Sequence, residues 1–267
     1  MATLHAGPFP LSSELLCHSG KGITAAAVCP GGKLVASAGR DRNISLWTSK
    51  SDEPVKRLST SVSLESVAFA ETGTHLAYGG MSGSIKVWDY NAEKAVADYT
   101  GHAGSVSVLC NNPADPNIWA SGSLDSSIRI WDLRSKNRCS RSYVTHSKRV
   151  NSLQFSPHGF WLVSGSDDCF VKILDIKGGD VPIAEIGGHS GPVTDVHFHP
   201  TEYLLASGST DKTVRFWDLE TYECVSQSDP SAGPVGKILF YPPGDCLFSF
   251  SSRGLRLSGW EPFRVYR

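Results

Sequence analysis

Short apolar runs, each bounded by turn residues, recur along the chain. The stretch Gly188–Leu219 shows the pattern well. Val193–Phe198 alternates apolar and polar positions and ends at His199-Pro200. Tyr203–Ser207, Val214–Trp217 and a weaker Glu223–Ser226 follow, separated by Pro200-Thr201, Gly208–Lys212 and Glu220-Thr221. β-prone runs of this length between turn residues read as strands, not helices. The same order appears at Val150–Phe155, Trp161–Ser164 and Val171–Leu174, with turns at Pro157-His158-Gly159 and Asp167-Asp168. It appears again at Ile23–Val28, Leu34–Ser37 and Ile44–Trp47, around Pro30-Gly31-Gly32 and Asp41. No long helical periodicity interrupts it.

The units are in phase. Trp47, Trp88, Trp131, Leu174, Trp217 and Trp260 are spaced by 41, 43, 43, 43 and 43 residues. Asp follows at Asp89, Asp132, Asp175 and Asp218, whereas Thr48 and Glu261 stand in the first and last units. So regular a period marks a repeat architecture. One four-stranded sheet of this size cannot bury both faces, but six stacked radially can. The expected fold is all-β: a β-propeller of six blades, each of four antiparallel strands. It would be one domain over 1–267, with repeats at about 17–58, 59–99, 100–143, 144–186, 187–228 and 229–267. The last unit offers three strands, near Val235–Phe240, Leu247–Phe250 and Leu255–Trp260. Glu14–Leu16, just ahead of His18, is the favoured closing strand; Phe263–Arg267 competes.

Composition narrows the class. The chain has 267 residues, 40% apolar, and a formal charge of −1. That balance argues against a chain-wide attraction to nucleic acid or membrane. No apolar stretch approaches the roughly 18 residues of a membrane helix, and Met1–Pro10 lacks the basic-then-apolar order of a signal peptide. The seven Cys are scattered, with no Cys-x-x-Cys, which fits reduced thiols in a cytosolic protein better than disulfides or zinc.

Polar residues recur with the period. His18, His102, His146 and His189 precede Asp41, Asp125, Asp168 and Asp211 by 23, 23, 22 and 22 residues. Ser37, Ser121, Ser164 and Ser207 lie ten residues before the Trp position. A Ser-His-Asp set invites a hydrolase reading, but a catalytic site needs one assembled cleft. Four copies point to a structural hydrogen-bond relay and no enzyme. Units two and six carry Thr60 and Ser231 at the His position, and Ser82 and Arg253 at the Asp position. Both partners are lost together, as expected where an orphaned buried polar group costs about 1–3 kcal/mol. His197 and His199 could share a strand face, but no Cys or carboxylate nearby completes a metal shell. No phosphate-binding glycine motif is present, so no cofactor, metal or small-molecule substrate is expected. The loops bearing the His and Asp positions emerge on one propeller face. They carry Lys21, Arg40, Arg42, Lys148, Arg149, Lys212 and Arg253 against few carboxylates beyond the repeated Asp, Asp167 being the clear one. This basic rim suits an acidic partner, although solvated loops also gather charge.

The period and the Gly-His…Trp-Asp pattern resemble the WD40 family over nearly the whole chain. That resemblance implies that the turn Asp bonds the His, the His the Ser, and the Ser the Trp ring nitrogen, His189, Asp211, Ser207 and Trp217 being one such set. It also implies closure of the ring by the N-terminal strand on the last blade. Trp131-Asp132-Leu133-Arg134 is similar to the Trp-Asp-x-Arg box of WD proteins that serve as cullin-RING ubiquitin ligase receptors, an alternative reading. The wording from Ser147 to Pro262 is more particular. Gly191-Pro192-Val193, Glu202–Ser209, Arg215–Glu220, Gly233-Pro234-Val235 and Gly259-Trp260-Glu261-Pro262 resemble, in that order, the WD domain of the katanin regulatory subunits. These are the non-catalytic partners of a microtubule-severing ATPase. Leu174, Arg253 and unit two depart from the repeat. The resemblance implies a scaffold in cytoplasm, centrosome and spindle pole that targets and regulates severing. Its implied partners are microtubules or tubulin, spindle-pole or centrosomal proteins and the katanin catalytic ATPase subunit, the last bound through a C-terminal helical domain that does not appear in these 267 residues.

Overall fold

The computed structural model describes residues 22–48, 51, 53–135, 139–241, 244, 246–251 and 254–259. Among the described residues, twenty-three strands form six antiparallel sheets in chain order. Sheet one is β1 (Ile23–Val28), β2 (Val35–Gly39), β3 (Asn43–Trp47) and β4 (Lys56–Ser59). Sheet two is β5 (Leu64–Phe69), β6 (His75–Gly80), β7 (Ile85–Asp89) and β8 (Lys94–Tyr99). Sheet three is β9 (Val106–Asn111), β10 (Ile118–Ser123), β11 (Ile128–Asp132) and β12 (Cys139–Tyr143). Sheet four is β13 (Val150–Phe155), β14 (Trp161–Ser166), β15 (Val171–Asp175) and β16 (Ala184–Ile186). Sheet five is β17 (Val193–Phe198), β18 (Leu204–Ser209), β19 (Val214–Asp218) and β20 (Cys224–Gln227). Sheet six has three strands, β21 (Val235–Tyr241), β22 (Cys246–Ser251) and β23 (Gly254–Gly259). The strand ranges read from sequence in units one, four, five and six lie within two residues of the observed strands. The second strands run longer than their apolar cores suggest, because Gly208-Ser209 continues the ladder instead of turning.

The first strand of each sheet lies innermost, and β1, β5, β9, β13, β17 and β21 all contribute to a central channel. Each inner strand pairs with its neighbour through a register shift near the start of the ladder, as at Val193/Asp195. One extra residue there bends the strand and increases its twist, which suits radial packing. Five apolar clusters sit between successive sheets, from Leu64, Val67 and Phe69 against Ala36 and Ala38, round to Val235, Ile238 and Phe240 against Ala206 and Val214. Burial between sheets is therefore the main stabilising term.

The Ser-Gly-Ser at the end of the second strands has a steric cause. A Cβ on Gly122, Gly165 or Gly208 would lie 2.6, 2.6 or 2.8 Å from Cγ1 of Val150, Val193 or Val235 in the next inner strand. The sheets approach too closely there for a side chain. Unit one carries Ala38 at this position, facing Leu64.

Between sheets six and one no comparable cluster forms among the described residues. Ile23, Val28, Leu239 and Phe250 stay 52, 62, 48 and 42% exposed. The expected closing strand, Glu14–Leu16, and its competitor, Phe263–Arg267, lie outside the described residues.

Candidate functional site

The tight turn between second and third strands has the same backbone form in units one to five. The residue after the Asp position is left-handed: Arg42 (φ 67), Gly83 (φ 70), Ser126 (φ 68), Cys169 (φ 73) and Lys212 (φ 73). The Asp side chain closes the turn, an arrangement for which Asp is well suited. Asp125 Oδ1 accepts the Ser127 N–H at 2.9 Å and Asp211 Oδ1 the Thr213 N–H at 2.9 Å.

The second carboxylate oxygen holds the His loop. Asp125, Asp168 and Asp211 Oδ2 lie 3.0, 2.8 and 2.8 Å from Nδ1 of His102, His146 and His189. The same oxygens accept the backbone N–H of Ala103, Ser147 and Ser190 at 2.8, 3.0 and 3.1 Å. Nε2 of each His lies 2.7, 2.8 and 2.7 Å from Oγ of Ser121, Ser164 and Ser207. The Nε1–H groups of Trp131 and Trp217 donate to Ser121 and Ser207 Oγ, both at 2.8 Å. A carboxylate only accepts, so Nδ1 carries the proton and Nε2 accepts the Ser hydroxyl. Every group in the chain Trp, Ser, His, Asp is then satisfied.

Charge follows from this geometry. Burial pushes the three His below their ordinary value, more than the Asp beside each raises them. Burial works to raise the carboxyls, but hydrogen bonds outweigh it. Asp211 is held down at about 2, chiefly by Thr213 and His189; Asp125 and Asp168 are also lowered. The pairs are thus neutral imidazole against carboxylate near pH 7. Ser121, Ser164 and Ser207 are each 0% exposed, so no substrate carbonyl can reach their oxygens. The arrangement fastens loop to strand and has the wrong access for a nucleophile.

The remaining units differ. Trp47 Nε1 donates to Ser37 Oγ at 3.0 Å, and Asp41 Oδ1 accepts the Asn43 N–H at 3.2 Å; His18 lies outside the described residues. Leu174 supplies no ring N–H, and Ser164 Oγ lies 3.3 Å from the Lys172 carbonyl. In unit two, with the pair missing, a cavity of about 290 Å³ opens. Thr60, Tyr78, Ser82 and Ser84 line it beside the Lys86–Asp98 ion pair.

Among the rim cations, Arg40, Arg42, Lys148 and Lys212 are exposed and have no carboxylate partner among the described residues. Lys21 and Arg253 lie outside those residues. Arg149 is different, for its Nη2 reaches Glu65 Oε2 at 3.1 Å, linking units four and two across the channel mouth. Sequence reasoning missed Glu65, since nothing in the repeat pairs positions 65 and 149; only their shared place at the tops of inner strands could have suggested it. Asp167 accepts the Asn151 side-chain N–H at 2.7 Å.

The channel has two characters. Its relay end, about 630 Å³, is lined by Glu65, Arg149, Asn151, Asp195, His197 and Lys237. The far end, about 540 Å³, is lined by Phe69, Leu109, Phe155, Phe198 and Phe240. His197 faces this channel. His199 is buried, donates from Nε2 to the Gly244 carbonyl at 3.2 Å and accepts the Glu202 N–H at 3.0 Å. The two His therefore serve different surroundings, and no cluster of three metal-binding side chains forms among the described residues. Arg134 donates to Asp132 Oδ1 and Asp115 Oδ2, both at 2.8 Å.

Comparison with known proteins places this geometry. The sequence profile of the WD domain, G-beta repeat family matches residues 10–48, 52–89, 93–132, 137–175 and 180–218. The guanine nucleotide-binding protein subunit beta of Zea mays is 29% identical over 153 residues, 51% of this chain and 40% of that protein. Transducin beta-like protein 3 of Rattus norvegicus is 31% identical over 147 residues, 53% of this chain and 18% of that protein. Protein groucho of Drosophila melanogaster is 29% identical over 143 residues, 52% of this chain and 19% of that protein. The chain thus spans well under half the length of these relatives. A chain in a crystal structure of the mitotic checkpoint complex superposes with a TM-score of 0.82 at 23% identity, covering 90% of this chain and 74% of that one. That likeness concerns the fold.

Proposed function

The chain belongs to the WD40 (WD domain, G-beta repeat) family, and from that premise we propose that it is a katanin-regulatory-type scaffold that recruits an acidic partner to its relay face. The coarser part, a propeller that binds proteins, is the general role of the family, which is a non-enzymatic scaffold. The katanin part rests on the wording from Ser147 to Pro262, because the relatives named above are other WD proteins. One domain over 1–267 with six repeats, and residence in cytoplasm, centrosome and spindle pole, belong to the same reading.

The observation that carries the proposal is the set of exposed rim cations with no carboxylate partner among the described residues. Arg40, Arg42, Lys148 and Lys212 ring a face whose relay Asp residues are half-buried in turns. The carboxylates there are half-buried and hydrogen-bonded within the turns or to Asn151, so the exposed charged side chains are the cations. An acidic tubulin tail would pair with these exposed cations, more strongly at low salt. The ligase-receptor reading has less support, because the Arg134 guanidinium is already bound to two carboxylates.

Co-sedimentation with microtubules tests the proposal, with tailed and tail-cleaved microtubules compared. The variant carries Arg40→Glu, Lys148→Glu and Lys212→Glu, leaving Arg149 to its partner Glu65. Loss of sedimentation in the variant and on tail removal is expected. Unchanged sedimentation in both would sink the acidic-partner reading.

A further inference from the structure

The relay face is not uniformly charged. Met81 is 68% exposed and Leu124 is 55% exposed. Each directly precedes the turn position held by Asp in most units, where unit one has Arg40, unit four Asp167 and unit five Thr210. Their backbones are tied down: the Met81 N–H donates to the Ser63 carbonyl at 3.1 Å and the Leu124 N–H to the Ser105 carbonyl at 2.9 Å. The side chains are therefore presented from ordered turns.

The two are neighbours across one loop. A Cβ on Gly83 would lie 3.1 Å from the Gly104 carbonyl oxygen, and one on Gly104 would lie 3.2 Å from Leu124 Cβ. On the other flank, Ser63 donates its hydroxyl to the Arg40 carbonyl at 3.1 Å. Arg40, Met81 and Leu124 thus follow one another round the rim, and Lys148 comes next in unit four. At the turn position itself the order is Arg40, Met81, Leu124, Asp167, and Lys148 lies beside Asp167 in unit four. Single exposed apolar residues are ordinary, but two on consecutive turns, with Arg40 on one flank and Lys148 beside the half-buried, Asn151-bonded Asp167 on the other, form a composite surface. The hydroxyl-lined cavity of unit two opens beside it, since Gly80 and Ser82 both line that cavity. A bound backbone would find polar partners there.

We propose that Met81 and Leu124 are the anchor positions of this face, docking an acidic peptide that carries apolar side chains among its carboxylates. The proposal rests on the acidic-partner reading above and narrows it. Charge complementarity selects the occupant: a basic peptide is repelled by Arg40, Arg42 and Lys148, and a purely acidic one leaves the apolar step in water. Carboxylates give attraction at long range and speed encounter. Apolar contact supplies the discrimination between acidic sequences.

Fluorescence anisotropy on the full 267-residue chain tests this, with three labelled ten-residue peptides. One is glutamate-rich with two leucines, one is glutamate-rich with glycine in place of leucine, and one is lysine-rich with the two leucines. The first should bind roughly tenfold tighter than the second, the change expected from burying part of two side chains. The lysine peptide should not bind. Met81→Ser with Leu124→Ser should erase the preference while leaving the glycine peptide's affinity and the melting temperature unchanged, since both side chains lie outside the core. Equal affinity for the two acidic peptides, or a preference that survives the double substitution, overturns the anchor proposal and leaves the basic rim standing. No binding by any peptide overturns both.

Discussion

Replacing one relay serine by alanine should cost more where a tryptophan shares its oxygen. Ser207→Ala strands two buried groups: the Trp217 Nε1–H, which loses its acceptor, and His189 Nε2, which loses its donor. Ser164→Ala strands His146 Nε2 but no ring N–H, because Leu174 has none to lose, and the longer 3.3 Å contact to the Lys172 carbonyl goes with it. An orphaned buried polar group costs about 1–3 kcal/mol. The expected losses are then about 2–6 kcal/mol for Ser207→Ala and about 1–3 for Ser164→Ala, a gap of about 1–3 kcal/mol. Both hydroxyls are fully buried, so water cannot replace them. Equilibrium unfolding in urea reads the gap as a difference in midpoint at unchanged slope. Adding Trp217→Phe to each background completes a cycle; coupling should appear with Ser207→Ala and vanish with Ser164→Ala. Equal losses in the two serine variants would refute the relay as a chain of mutual satisfaction.

Other outcomes follow from the same geometry. Gly208→Ala should destabilise by about 1–3 kcal/mol, because the new Cβ meets Val235 in the next inner strand; Val235→Ala in that background should recover part of the loss, measured by urea midpoint. Stability should fall on acidification in two stages. The relay His have folded values below the ordinary one, so their contribution is complete above about pH 6.5 and declines as pH falls below it, by at most about 1.4 kcal/mol per His per pH unit. The relay Asp are also depressed, so a further loss begins below about pH 4; a midpoint flat between pH 7 and 5 would contradict the sign. Arg134→Ala should shift the melting temperature by less than about 2 °C, since its carboxylate partners stay hydrated.

The repeat was legible because each unit must solve the same packing problem. Trp and the turn Asp recur in most units, and Ser-Gly-Ser in units three to five, where a sheet presses on its neighbour, and the period exposes them. Strand ends were less legible: Gly208-Ser209 has turn composition, yet the neighbouring Val235 excludes anything larger and the ladder continues through it. Contacts between non-adjacent units were not legible. Glu65 and Arg149 are 84 residues apart and belong to no repeated position, so only the channel brings them together. Asp195, 2% exposed, accepts from Ser152 and from the Ile238 N–H, joining three units through a residue that reads from sequence as a solvent-side strand position. The apolar step at Met81 and Leu124 was hidden because the repeat draws attention to the Asp position, one residue later.

The central claim is that the buried polar relay holds the loops and the exposed rim they carry does the binding. Hydrogen exchange with and without a saturating glutamate-rich, leucine-containing peptide tests it most directly. The account expects added protection in the relay-face loops, at residues 40–42, 81–84, 103–105, 147–149 and 210–213. Protection confined to the opposite end of the sheets, at residues 113–117, 157–160 and 200–203, would contradict it.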